Sequence, residues 1–156
     1  MVIDEAPRPF TIMMAFRQTA RLMVEELIER LMADGHDGVH PSHHALYENI
    51  DPGGTRLTEL AARAGMTHQA MGELVASLER GGWVERRPDP TDGRARLVCL
   101  TQSGRHLVIR GLHHIAAIEA EWQARWSAAG HDGALRPVLE RAVKDAAQTR
   151  ASAAAA

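Results

Sequence analysis

The chain predicts a mainly α fold with a small β-hairpin, and three observations carry that expectation. Two short amphipathic stretches stand back to back at 58–65 and 68–80. A pair of β-rich runs, WVERR and ARLVCLT, follows them at once. Long patterns of apolar residues at three- and four-residue steps lie on both sides. Two short helices joined by a glycine turn and followed by a hairpin make a winged helix-turn-helix core, here flanked by N- and C-terminal helices.

Each element has its own signal. From Phe10 to Ala33 the apolar residues Met13, Phe16, Ala20, Val24, Leu27 and Leu31 mark one face of a long helix, which DGHDG stops. PSHHALYENI restarts a short helix behind Pro41, before a DPGG turn at Asp51 to Gly54. Thr58 is expected to cap TELAARAG, with Leu60, Ala61 and Ala64 buried and Gly65 ending it. Thr67 is the expected N-cap of HQAMGELVASLERGG, whose Met71, Leu74, Val75 and Leu78 form the core stripe. The opposite face carries His68, Gln69, Gly72, Glu73 and Ala76, and Gly81-Gly82 supplies a left-handed exit. In the wing the prolines of PDPTDG forbid central-strand pairing and Asp92-Gly93 signals the turn, so two strands are expected. Gln102 to Ala129 reads as a long helix through Leu107, Leu112, Ile115, Trp122 and Trp126. GHDG separates it from a last helix with Leu135, Leu139 and Val143, and ASAAAA is expected to fray.

Bulk properties narrow the function classes. A chain of 156 residues, 45% hydrophobic and 24% charged, suits one ordinary folded unit. No apolar run approaches the roughly 20 residues of a membrane span, and MVIDEAPRPF is acidic where a signal peptide is basic, so a cytoplasmic protein with no membrane partner is expected. A single cysteine, Cys99, excludes an internal disulfide. Net charge is −2, but Thr55 to His106 holds eight arginines against six acids, or +2, and the remainder sums to −4. Aromatics at 4% leave little for base stacking, which disfavours single-strand modules and leaves duplex DNA.

In a groove-binding module the second short helix is the reader. His68, Gln69, Gly72 and Ala76 are small or hydrogen-bonding, and Gln69 suits adenine. Gly72, costly inside a helix, implies close approach to a phosphate backbone or, equally, to a neighbouring helix. RLTELAARAGMTHQAMGELVASLERGGWVERRPDPTDGRARLVCLTQSG, Arg56 to Gly104, resembles the DNA-binding core of the multiple antibiotic resistance regulator (MarR) family, most specifically through DPTDGR followed by LT and G. The resemblance implies that the terminal helices interlock with those of a second subunit, holding two winged modules over a pseudo-palindromic site. It implies segments 1–54 (first helix and connecting helix), 55–104 (DNA-binding core), 105–150 (dimerisation helices) and a tail, 151–156. It also implies that Arg94 enters the minor groove while Asp92 helps fix it. The expected DNA contacts are Arg63, Thr67, His68, Gln69, Gly72, Glu73, Arg86, Asp92, Arg94 and Arg96. One departure stands out: Thr67 to Ser77 has no Lys or Arg, and Glu73 lies on the DNA-facing side. Phosphate contacts must then come from Arg56, Arg63, Arg86, Arg87 or Arg96, each equally readable as a solvated surface charge. Glu73 is left either to accept from cytosine N4 or to pair with an arginine.

The resemblance further implies an effector pocket for an aromatic carboxylate or phenol, with Met14, Arg17, His43, His44, Tyr47 and His113 as candidates and Met13 and Leu46 as apolar walls; a packed helix junction is the bland reading. Nine histidines invite a zinc reading, yet no HxxxH spacing puts two imidazoles on one helix face, so neither metal nor cofactor is expected. Cys99, in a wing strand, reads as a filler thiol. No HExxH, GxSxG, P-loop or paired carboxylates appear, so no enzyme is expected. The expectation is a homodimeric, ligand-released repressor. The alternatives are a zinc-responsive regulator and, further off, a helical interaction protein or a histidine-metal hydrolase.

Overall fold

The computed structural model describes residues 10–154. Residues 1–9, on which the signal-peptide reading rests, and 155–156 of the expected frayed tail lie outside the described residues. Residues up to Ile115 and those from Ala116 onward form two compact units.

The first unit opens with α1, Ile12–Ala33, whose N-cap is Thr11, with Oγ1 accepting from the Met14 N–H at 3.2 Å. Its C-terminal half buries Leu27, Ile28 and Leu31, while Ile12, Met13 and Phe16 of its N-terminal half are exposed. A 3-10 turn at Pro41–His43 leads into a four-residue α2, His44–Tyr47. Then come β1, Thr55–Arg56; α3, Leu57–Arg63; and α4, His68–Arg80. The expected stripe of α4 is realised: Met71, Leu74, Val75 and Leu78 are all buried, and Thr67 Oγ1 accepts from the Ala70 N–H at 3.1 Å.

The hairpin corrects four expectations. It belongs to a three-stranded antiparallel sheet ordered β1-β3-β2, with β2 at Val84–Asp89 and β3 at Asp92–Leu100. The third strand, β1, pairs Thr55 with Val98 and Arg56 with Leu97. Because Arg56 is extended and held in the sheet, it is the N-cap residue of α3, and Thr58 lies inside the first turn instead of capping it. The turn is Pro90-Thr91, two residues before Asp92-Gly93, which open β3. The left-handed exit of α4 is Gly82 alone (φ 73°), since Gly81 remains right-handed at φ −75°. Pro88 is tolerated in β2 because β2 is an edge strand, and the register shifts between Pro88 and Asp89.

Two packing details fix the hairpin against the helices. Gly54, at φ 95°, lies over the Cys99 thiol, where a Cβ would collide. Gly104, in the first turn of α5 (Gln102–Ala128), sits against the Trp83 carbonyl, leaving no room for any side chain. That carbonyl also accepts from the N–H of Thr101 at 3.0 Å, and Thr101 Oγ1 donates to Gly82 O at 2.7 Å. Asp34, the C-cap of α1, holds α5 through Arg110 at 2.6 Å and His114 at 2.8 Å, and the two together keep its carboxyl below the usual range.

The second unit comprises the remainder of α5 and α6, Leu135–Ala154, so helix continues through the first part of the tail expected to fray. Within it Gln123 caps the turn, donating to Gly133 O at 2.7 Å and accepting from the Leu135 N–H at 3.1 Å. Val138 and Val143 of α6 are exposed. Among the described residues no helix is long and apolar enough to cross a membrane.

The tip of the wing is bolted to α3 by Asp89, only 6% exposed. Its Oδ1 accepts from the Thr91 hydroxyl at 2.6 Å and the Thr91 N–H at 2.8 Å, and its Oδ2 from Arg56 at 2.6 and 2.7 Å. The Thr91 bonds first, and Arg56 after them, pull its carboxyl down to about 2. A folded-state value below the ordinary one, about 3.9, means stability that is present above that value and lost as pH falls through the folded one. Asp89→Asn should therefore be less stable than wild type at neutral pH, with the gap closing between about pH 4 and about pH 2. Urea unfolding across that range checks this, and a constant gap would contradict it.

Candidate nucleic-acid interface and effector cavity

The exposed face of α4 is built by the stripe beneath it: burying Met71, Leu74, Val75 and Leu78 forces His68, Gln69 and Glu73 outward. Gln69 Nε2 donates to Glu73 Oε1 at 3.1 Å, and Glu73 pairs with no arginine among the described residues. Gly72 is half-buried, and a Cβ there would meet Leu57 at 3.8 Å, an ordinary contact. The α3 side therefore does not demand glycine. Thr67 Oγ1 accepts in the helix cap, which leaves its O–H to donate.

The arginines divide into two groups. Arg63 is held by Asn49 O and Asp51 at 2.9 Å each and by Glu59; Arg56 is held by Asp89; Arg86 reaches Glu79 at 3.5 Å; Arg87 pairs with Glu85. Arg94 and Arg96 are exposed, and among the described residues neither side chain has a partner. Asp92 Oδ1 accepts from the Arg94 N–H at 3.1 Å, which sets the backbone and leaves the guanidinium free. Arg96 and Arg86 also line a shallow groove with Arg56, Leu57 and Thr58, between the start of α3 and the sheet. Unpaired positive charge thus gathers on the wing, while the face of α4 carries an uncompensated acid. The pairing of Arg56 with Asp89, 33 residues apart, had no local signal in the sequence.

A cavity of about 160 Å³ lies between α1, the 3-10 turn, α2 and α5, walled by Leu27, Ile28, Leu31, Val39, Leu107 and Leu112 among others. Of the six candidate effector residues it brings together His43, His44 and Tyr47. Met14, Arg17 and His113 are not among its lining residues, and Arg17 and His113 are exposed. Leu46 is fully buried and Met13 exposed, so neither is a wall. His43 is 4% exposed; its Nδ1 accepts from the His40 N–H at 3.2 Å, which puts the proton on Nε2. Burial, with His40 adding to it, lowers its pKa and keeps it neutral. His44 faces Glu48 at 3.3 Å. Among the described residues no Lys or Arg lines the cavity. Burial pushes the Tyr47 phenol up, and its hydroxyl is buried without a hydrogen-bond partner among the described residues.

Among the described residues no three His, Cys, Asp or Glu side chains gather as a metal site would require. Cys99 is buried beneath Gly54, its thiol 3.7 Å from Gly53 O.

An unpartnered buried hydroxyl destabilises the protein it sits in. Tyr47→Phe should accordingly raise unfolding stability by about 1 kcal/mol. Urea denaturation measures this, and a loss of similar size would mean that the hydroxyl is satisfied in solution.

Residues 37–95 match the MarR family. An uncharacterised HTH-type transcriptional regulator of Mycobacterium leprae is 45% identical over 49 residues, which cover 31% of this chain and 34% of that protein, so the match spans about a third of the relative. Among solved structures, CouR from Rhodococcus jostii RHA1, bound to p-coumaroyl-CoA, superposes with a TM-score of 0.66 at 20% identity, covering 90% of this chain and 91% of that one. MepR of S. aureus, in complex with DNA, superposes with a TM-score of 0.53 at 22% identity, covering 74% and 93%. The chain has the winged helix-turn-helix fold of these solved structures, and its residues 37–95 are similar to the MarR family.

Proposed function

We propose that the protein is a cytoplasmic, homodimeric repressor that binds a pseudo-palindromic duplex operator and is released by a small aromatic effector, not an enzyme. The observation that carries the DNA reading is the free guanidinium of Arg94 at the wing, its backbone held by Asp92. Phosphate and minor-groove contacts favour unpaired arginine, whereas Arg56 and Arg63 already serve carboxylates. The DNA complex of a protein with the same fold supports this reading.

Arg94→Ala should lose roughly 1–3 kcal/mol on the operator and flatten the salt dependence by about one unit of slope. Gln69→Ala should cost a similar roughly 1–3 kcal/mol on the cognate site and little on a scrambled duplex. Fluorescence anisotropy across a salt series on both duplexes distinguishes the two. No change with either variant would remove DNA binding as the work of this surface.

The effector reading rests on the cavity. Its apolar walls, neutral His43 and unpartnered Tyr47 hydroxyl suit an uncharged aromatic ring bearing a hydroxyl or carbonyl. With no Lys or Arg among the described lining residues and Glu48 beside His44, a buried carboxylate would stand uncompensated. CouR, bound to an aromatic acyl thioester, is a precedent for aromatic ligands on this fold. No observation favours the zinc-responsive alternative.

Dimerisation is supported by Phe10, Ile12, Met13 and Phe16, exposed at and just before the start of α1, and by Val138 and Val143 of α6. Sedimentation at micromolar concentration should give a dimer, and a stable monomer would end the two-half-site reading.

A further inference from the structure

The first three turns of α4, from His68 to Glu79, contain no Lys or Arg, yet Glu73 stands on its exposed face beside Gln69. A carboxylate facing a polyanion lowers affinity for every duplex, because it is repelled by phosphates whatever the sequence. It is repaid only where a base donates a hydrogen bond to it. Glu73 is also not spent on an arginine: among the described residues its partner is the amide of Gln69, four residues earlier on the same face, at 3.1 Å. One amide N–H and one carboxylate oxygen are engaged in that bond. Gln69 Oε1, the second Gln69 N–H and the other Glu73 oxygen remain to face outward.

We propose that Glu73 is a specificity-determining residue which, coupled to Gln69, makes an acceptor-rich reading head for exocyclic amino groups in the major groove. The inference rests on the DNA-binding reading above. Cytosine N4 or adenine N6 donates to the free Glu73 oxygen. Guanine offers N7 and O6, both acceptors, and thymine O4 and a methyl group, so both are rejected on the strand the residue faces. The helix thus contributes selectivity with little general affinity, and the wing arginines contribute affinity with little selectivity.

The test is selection from a randomised duplex library by the full-length wild type, Glu73→Ala and Glu73→Gln, followed by anisotropy on the selected site and on a scrambled duplex. Circular dichroism and thermal unfolding verify that each variant is folded. Wild type should require cytosine or adenine at one position per half-site, with guanine there costing roughly tenfold or more in affinity. Glu73→Ala should lose that requirement, keep the rest of the motif and bind the scrambled duplex a few-fold more tightly. Glu73→Gln, which brings a donor, should admit guanine or thymine. If wild type selects no sequence, the DNA reading itself fails. If wild type selects a motif that both variants reproduce unchanged, or if Glu73→Ala weakens all duplexes equally, the role given to Glu73 is overturned and the DNA reading stands.

Discussion

A carboxylate as deeply buried as that of Asp89 persists in charged form only if its oxygens are fully occupied, and the wing is organised around that requirement. Thr91 fills one oxygen from within the turn, and Arg56 fills the other from the far end of the sheet. The first pair of bonds sets the turn; the second ties the hairpin to the residue from which α3 begins. A wing that is otherwise an edge hairpin thereby acquires a fixed place relative to the helix-turn-helix. Arg56, one of the cations that could have met phosphate, becomes part of the scaffold.

The same logic sorts the remaining charges. An arginine already bonded to carboxylate and carbonyl, as Arg63 is, must give up those bonds before meeting a phosphate, whereas Arg94 and Arg96 sacrifice nothing. Surface ion pairs are individually weak, so the distinction is one of degree for Arg86, whose reach to Glu79 is long. In the proposed function the order of usefulness to DNA is therefore set by prior engagement more than by location in the sequence.

Legibility in the sequence followed the range of the interactions. The long and medium helices could be read because their determinants are local: the four-residue stripe of α4, its Thr67 cap and the glycine that ends it lie within 16 residues of one another. The turn was misplaced because Asp92-Gly93 is the stronger dipeptide signal, while the deciding bond, Asp89 to Thr91, depends on an Asp89 that Arg56 stabilises from 33 residues away. β1 was invisible because two residues carry no periodicity, and the strand exists only through pairing with Val98 and Leu97. His43, His44 and Tyr47 line one cavity because the 3-10 turn and the short helix that bear them are consecutive, and PSHHALYENI signals that segment locally. Arg17 and His113 do not line this cavity, and the sequence carries no signal for that because the rotational setting of a long helix against its neighbours is a tertiary fact.

The cavity, the end of α4 and the root of the wing share one physical junction. His43 lines the cavity and also meets Trp83 edge to face, with ring centroids 5.6 Å apart. Trp83 immediately precedes β2 and follows the glycine exit of α4, and its carbonyl is pinned by Thr101 with Gly104 packed against it. It therefore cannot shift alone, since the end of α4, the root of the wing and the start of α5 meet at the same residue. In the proposed function an effector acts on DNA only through a difference in its affinity for two settings of these elements. On that proposal, a ligand that displaces the His43 ring would change the packing of Trp83, and close packing would convert the displacement into a move of the end of α4 and the root of the wing together instead of absorbing it locally.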